Sequence, residues 1–234
     1  MLKLVLRPRN LIKNIVNGIN SAKRDDYYWR LYEKYKPFTM IHRNVFCNNL
    51  DLVDCYKDVK GAIVECGVWK GGMLASIAEV IGPAREFHAF DSFEGLPDPT
   101  EKDGMEAKNL QKNKEDSYYH NNCTAAEHYI RDAMKLSGAI NFQSHKGWFK
   151  DTIPPFRETG MPIAILRLDG DWYESTMVCL KNLVPLVVKN GLVIIDDYYT
   201  WSGCAQAVNE FCASSSNPMK IRQWKDGVCF IQIT

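Results

Sequence analysis

Apolar and polar positions follow three regimes along this chain: helical spacing to about residue 58, alternating strand and helix patterns from Gly61, and two strand-like runs at the end. The middle regime has β-rich runs at 61–66, 86–91, 139–144, 163–169 and 191–196, with helix-period segments near 72–81, 124–136, 173–187 and 203–213. That alternation predicts a parallel sheet with crossover helices, an α/β doubly wound, Rossmann-like architecture. Residues 163–168 (IAILRL) and 192–195 (LVII) are largely apolar and β-branched, which suits central strands covered on both faces. Sheets of this type bind ligands at the carboxyl ends of their strands.

The last regime breaks the alternation. Residues 219–225 and 228–233 flank Asp226-Gly227, a strong hairpin signal. The sheet is therefore expected to be mostly parallel with a C-terminal antiparallel hairpin, where a dehydrogenase sheet would add another parallel unit. Residues 1–58 contain no strand pattern and are read as an N-terminal helical cap or arm near the binding edge, with residues 59–234 as the main domain. Within that domain, residues 94–123 are polar, with seven acids and four bases between Glu94 and Asp116, and read as a lid loop.

Composition narrows the function classes. With 234 residues, 46% hydrophobic and 24% charged, the chain is an ordinary globular protein. A chain of this size buries roughly 70% of its unfolded surface and needs no metal or disulfide merely to fold. The net charge of +1 lacks the positive field of a nucleic-acid binder. That sum is uneven, since six of the 29 basic groups and none of the 28 acids fall in residues 1–24. The eight cysteines include no Cys-x-x-Cys pair and read as reduced thiols. No run approaches 18 apolar residues and the start lacks a signal-peptide core, so a cytoplasmic, soluble protein without integral membrane association is expected. The basic start, with Leu11, Ile12, Ile15, Val16 and Ile19, reads as a helix packed on the domain or a second subunit, or as one lying on an anionic membrane.

Three constellations carry chemistry. Residues 65–72 (ECGVWKGG) run from a strand into a helix, and Gly67, Gly71 and Gly72 allow a tight turn and close ligand approach. The spacing departs from G-x-G-x-x-G, and Glu65 would repel a diphosphate but attract the ammonium or sulfonium of S-adenosylmethionine. Asp91 ends the next strand, where a carboxylate accepts ribose hydroxyls or caps a turn. Asp169 and Asp171 close a further strand, and Asp196 and Asp197 the one after. Two carboxylates about 4 Å apart repel by roughly 4 kcal/mol at an effective dielectric of 20, so Asp169, Asp196 and Asp197 at one sheet edge call for a cation or strong protonation. An all-oxygen set favours Mg²⁺, with Mn²⁺ or Ca²⁺ as substitutes. Asp171, ahead of a helix, reads as its cap. Trp148 sits at the same edge, suited to stacking on adenine or to the core. His88 and His145 read as structural, His42 can reach the site from the cap, and Cys66 adjoins the glycine loop.

The motifs VECGVWKGG (64–72), FDSFEGLP (90–97), KGWFKDTIP (146–154), LDGDWYEST (168–176), VIIDDY (193–198) and CAQAVNEF (204–211), with Thr39-Met40 ahead of them, resemble the macrocin O-methyltransferase family of TylF/MycF/NovP type. The resemblance spans about 39–215. It implies a class I S-adenosylmethionine-dependent methyltransferase fold acting on a sugar or related natural-product hydroxyl. It also implies metal ligation by Asp169, Asp196 and Asp197, a cofactor site at Met40, Glu65, Gly67, Asp91, Ser92 and Trp148, and Asp169 as base. A homo-oligomer through N-terminal helices is consistent with it.

The implied chemistry is physically coherent. An alcohol is a poor nucleophile until a metal lowers its pKa, and a carboxylate within reach can take its proton. A metal-dependent glycosyltransferase using Asp169 and Asp171 remains the enzymatic rival, and a non-catalytic binding module of the same fold the other. A phosphate-ester hydrolase fits less well, because its Asp-x-Asp follows the first strand.

Overall fold

The computed structural model describes residues 23–116, 119–215 and 219–234; the apolar positions Leu11 to Ile19 of the basic start lie outside them. Helix α1 covers residues 23–35 and runs into a short 3-10 turn at Lys36–Phe38. There follow α2 (Arg43–Asp54), β1 (Ala62–Cys66), α3 (Gly72–Ile81), β2 (Glu86–Asp91), α4 (Gly104–Lys112), α5 (His128–Ser137) and β3 (Asn141–Lys146). The second half comprises α6 (Phe149–Arg157), β4 (Ile163–Leu168), α7 (Tyr173–Leu183), β5 (Val187–Ile195), α8 (Ser202–Ser214), β6 (Ile221–Trp224) and β7 (Val228–Gln232).

The seven strands form one sheet in the order β3-β2-β1-β4-β5-β7-β6. Strands β1 to β5 are parallel, while β7 runs antiparallel to both β5 and β6. The expected α/β sheet with a terminal hairpin is thus present. The order reverses between β1 and β4, and such a switch point leaves a crevice beyond the strand ends.

Successive side chains of a strand point to opposite faces, and this splits the core in two. Ile63, Phe87 and Ile165 pack on one face with Tyr28, Leu31 and Tyr35 of α1, Phe46 and Leu50 of α2, and Leu74 and Ile77 of α3. Val64, Phe90 and Leu166 pack on the other with Ile153, Phe156, Leu180 and Val208 of α6 to α8. Each fully buried aliphatic or aromatic side chain contributes roughly 1.5–3 kcal/mol. The N-terminal helices share the core of the sheet: Tyr35 Oη donates to Glu79 of α3, and Lys34 Nζ lies against the same carboxylate.

Three helices depart from the sequence pattern. Helix α4 falls within the expected lid loop, where only Ala107 is buried, so no apolar stripe marked it. Its start is nevertheless written in the chain: Thr100 and Asp103 form a capping box on the preceding 3-10 turn. Helix α6 contains Pro154 and Pro155, which ordinarily argue against a helix, yet Ile153 and Phe156 bury its inner face. Helix α7 ends at Leu183, short of the expected 187, because Val184-Pro185-Leu186 tightens into a 3-10 turn.

Candidate active site

The ends of β1, β2, β4 and β5 border a cleft of two lobes, about 140 Å³ and about 320 Å³, which share Met40, Gly67, Trp69, Asp169 and Asp171. The smaller lobe adds Asp91, Ser92 and Trp148, and the larger adds Glu65, His42, Asp196 and Asp197. Gly71 lines neither.

On the glycine-loop side, backbone packing explains the sequence. Gly67 N–H donates to Phe90 O (2.8 Å) and Asp169 N–H to Cys66 O (2.9 Å), drawing three strand ends together. With φ at +84°, a Cβ on Gly67 would lie 1.6 Å from the Asp169 carbonyl oxygen, so only glycine fits. A Cβ on Gly71 would lie 2.0 Å from Ile130 Cδ1, which makes that glycine a contact between α3 and α5. Asp91 Oδ2 accepts the N–H groups of Val68 (2.9 Å) and Trp69 (2.8 Å), and Oδ1 that of Phe93 (2.7 Å). Burial pushes the Asp91 carboxyl pKa up, against the pull of those three donors. The Ser92 hydroxyl donates to Gly95 O and accepts from Glu94 N–H, each at 3.0 Å.

The opposite side is a centre of crowded acids. Arg167, 1% exposed in β4, places Nη1 2.6 Å from Glu65 Oε1 and 2.8 Å from Asp169 Oδ2, and Nη2 2.5 Å from Asp196 Oδ1. Glu65 Oε2 is buried without any partner. Asp169, Asp171 and Asp197 each bring one carboxylate oxygen within 4.8 Å of the others. Burial, reinforced by the neighbouring acids, pushes Asp169 up to about 6, Asp171 to about 8 and Asp197 well above the carboxylate range. Burial likewise carries Glu65 to about 7 despite Arg167.

The structure therefore joins Asp169 and Asp197 with Asp171 and turns Asp196 toward Arg167. Consecutive residues leave a strand end in different directions, which adjacency in sequence does not reveal. The expected helix-cap role of Asp171 is corrected. The first N–H of α7, at Tyr173, donates to Asp103 Oδ1 of the lid (2.6 Å), while Asp171 Oδ1 accepts Trp201 Nε1 (2.9 Å). Asp103 was missed, as was Arg167, whose signal is a lone cation within the apolar run IAILRL. The two histidines are structural as expected: His88 Nδ1 and His145 Nε2 lie 2.9 Å apart, and His145 stacks on Phe90. All eight cysteines are free; Cys66 is fully buried and lines neither lobe.

Residues 94–123 border the cleft through an unusual turn. His120, Asn121, Asn122 and Cys123 have φ of 42°, 55°, 56° and 56°, a left-handed stretch without glycine. Asn122 secures it: its carbonyl accepts Leu96 N–H (3.1 Å), its Nδ2 donates to Leu96 O (3.0 Å), and its Oδ1 accepts from Gln111 Nε2 (2.7 Å). His120 thereby borders the larger lobe and Cys123 both.

Sheet order, terminal hairpin and a cleft at the switch point together define the class I methyltransferase fold. The chain belongs to the macrocin O-methyltransferase (TylF) family, which it matches over residues 35–229. It is 36% identical over 160 residues to the 8-demethyl-8-(2,3-dimethoxy-alpha-L-rhamnosyl)-tetracenomycin-C 4'-O-methyltransferase of Streptomyces olivaceus, covering 65% of this chain and 58% of that protein. It is 34% identical over 163 residues to the demethyldecarbamoylnovobiocin O-methyltransferase of Streptomyces niveus, covering 67% and 60%. The aligned region thus spans about six-tenths of the length of these relatives. Among solved structures, the O-methyltransferase NovP superposes with a TM-score of 0.69 at 29% identity, over 84% of this chain and 82% of that one. Calicheamicin methyltransferase CalS11 shares the fold at a TM-score of 0.61 and 19% identity, over 91% and 92%.

Proposed function

We propose that this chain is an S-adenosylmethionine- and divalent-cation-dependent O-methyltransferase acting on a hydroxyl of a sugar-like small molecule. One observation carries the reading: the cleft holds a buried carboxylate oxygen with no partner, Glu65 Oε2, beside three mutually facing carboxylates. Positive charge satisfies both features, an ammonium at the one and a hard dication at the other.

The cofactor would supply a sulfonium methyl group, and the cation would lower the pKa of the acceptor hydroxyl. Glu65 receives the cofactor's amino group. Trp148 offers a stacking face for the adenine, and the Asp91 and Ser92 edge faces the ribose. Asp169 and Asp197 hold the cation. The third ligand is Asp171, already facing them, or Asp196 after it leaves Arg167, and separate Asn substitutions distinguish the two. Asp169, oriented by the Arg167 bond to its Oδ2, would be the carboxylate within reach of the acceptor proton. The lid, anchored by Asp103 and Asn122, excludes water and bounds the acceptor lobe. Family membership and the names of the relatives support a natural-product glycoside as acceptor. No helix among the described residues is long and apolar enough to cross a membrane.

The test is a mass screen for gain of one methyl group across neutral glycosides, with S-adenosylmethionine and Mg²⁺. Turnover should vanish in excess chelator and return on adding Mg²⁺. No binding of S-adenosylmethionine with or without Mg²⁺ overturns the reading, and full activity in chelator overturns its metal component.

A further inference from the structure

Among the described residues, Arg167 is the one guanidinium beside the five carboxylates of the larger lobe: Glu65, Asp169, Asp171, Asp196 and Asp197. Its place is more specific than charge balance requires. One nitrogen, Nη1, serves two acids that belong to different ligands in the reading above: Glu65 at 2.6 Å, facing the cofactor, and Asp169 at 2.8 Å, facing the cation and acceptor. The other terminal nitrogen lies 2.5 Å from Asp196 Oδ1, an ion-pair contact outside hydrogen-bond geometry. A guanidinium is a rigid planar fork, so fixing one of its carboxylates fixes the orientation offered to the others. Strand register reinforces this, because Glu65 in β1 pairs directly with Arg167 in β4. The Arg167–Glu65 pair is the buried end of the arrangement, each side chain 1% exposed, while Asp169 and Asp196 are 26% and 18% exposed on the cleft side.

We infer that Arg167 is a positioning residue that couples the cofactor's contact at Glu65 to the cation centre, so that each ligand tightens the other. This rests on the proposed function. A ligand on Glu65 Oε2 fixes Glu65, hence the guanidinium, hence Asp169; the second ligand then meets a carboxylate already oriented. Such coupling is reciprocal by thermodynamic necessity. A mutated Arg167 leaves two ligand sites that can each still fill but no longer sense one another.

The test measures binding alone. S-adenosylhomocysteine is titrated calorimetrically into the protein with and without saturating Mn²⁺, and Mn²⁺ is titrated by paramagnetic resonance with and without S-adenosylhomocysteine. The two ratios should agree, each showing tightening of roughly fivefold or more. In Arg167→Lys, which keeps the charge but loses the fork, both ratios should fall to within twofold of unity while each ligand still binds. Should that variant not fold, Arg167→Gln, which can still bond one carboxylate but cannot span two, takes its place with the same expected loss of coupling. A merely structural Arg167 would lower the thermal midpoint and leave the coupling intact. Ratios near unity in the unmodified protein, or unchanged ratios in the variants, overturn the inference. Absence of binding by both ligands in the unmodified protein would instead overturn the functional reading itself.

Discussion

The two sides of the cleft use acids and glycines in opposite ways. At the glycine loop Gly67 makes room for the Asp169 carbonyl, Gly71 for Ile130, and the Asp91 carboxylate accepts three backbone N–H groups, which leaves Trp69 Nε1 as the loop's one buried polar side-chain atom without a partner among the described residues. At the ends of β4 and β5 the acids outnumber their partners, with one guanidinium among five carboxylates and Glu65 Oε2 left without a donor. Both sides carry residues of catalytic appearance. The difference teaches that a motif is explained by its backbone when its polar atoms are complete, and points to a ligand when they are not.

The contrast can be broken in several ways. The largest effect is expected from Asp169→Asn, which keeps the shape and removes the proton acceptor; turnover on any glycoside found in the methylation screen should fall by roughly 10²–10⁴-fold. Gly67→Ala should act on folding instead, destabilising by more than about 3 kcal/mol in urea titration, because its Cβ meets backbone that three strands hold in place. A milder result there would mean that the loop is not set by packing.

The acids of the crowded side also have a pH signature. Their folded-state pKa values are raised, to about 6 for Asp169, 7 for Glu65 and 8 for Asp171. A raised carboxylate stabilises the fold while protonated, so this contribution is complete below about pH 4, the ordinary carboxylate range, and is lost as pH rises through 6 to 8. The thermal midpoint of the cation-free protein should therefore fall across that window, and Mg²⁺ should restore more of it at pH 8 than at pH 5. A midpoint that Mg²⁺ leaves unchanged at pH 8 would count against a cation centre. The smallest effect is expected from Asn122→Ala, about 1 kcal/mol of stability, with faster alkylation of Cys123 by N-ethylmaleimide as the left-handed turn loosens.

Much of this was legible in the chain. The five parallel strands and the Asp-Gly hairpin follow from period and turn chemistry, and Asp169 and Asp197 from charge crowding at strand ends. What escaped was set by direction and by long-range pairing. Asp196 and Asp197 are neighbours in sequence, but one faces Arg167 and the other the bond from the Asp171 N–H (3.0 Å). Asp171 looked like a helix cap because it precedes α7, while the N–H it would have capped belongs to Asp103, 70 residues away from Tyr173. The left-handed turn at 120–123 left only a faint trace, the Asn121-Asn122 pair that tolerates positive φ.

The measurement closest to the central claim is the count of Mn²⁺ ions bound by chelator-stripped protein, read by paramagnetic resonance at pH 8. One ion per chain is predicted, lost in Asp169→Asn and in Asp197→Asn but retained in Asp91→Asn, where the acid is already satisfied by the backbone. No bound ion, or an ion that survives Asp169→Asn and disappears with Asp91→Asn, would contradict the assignment of the two sides.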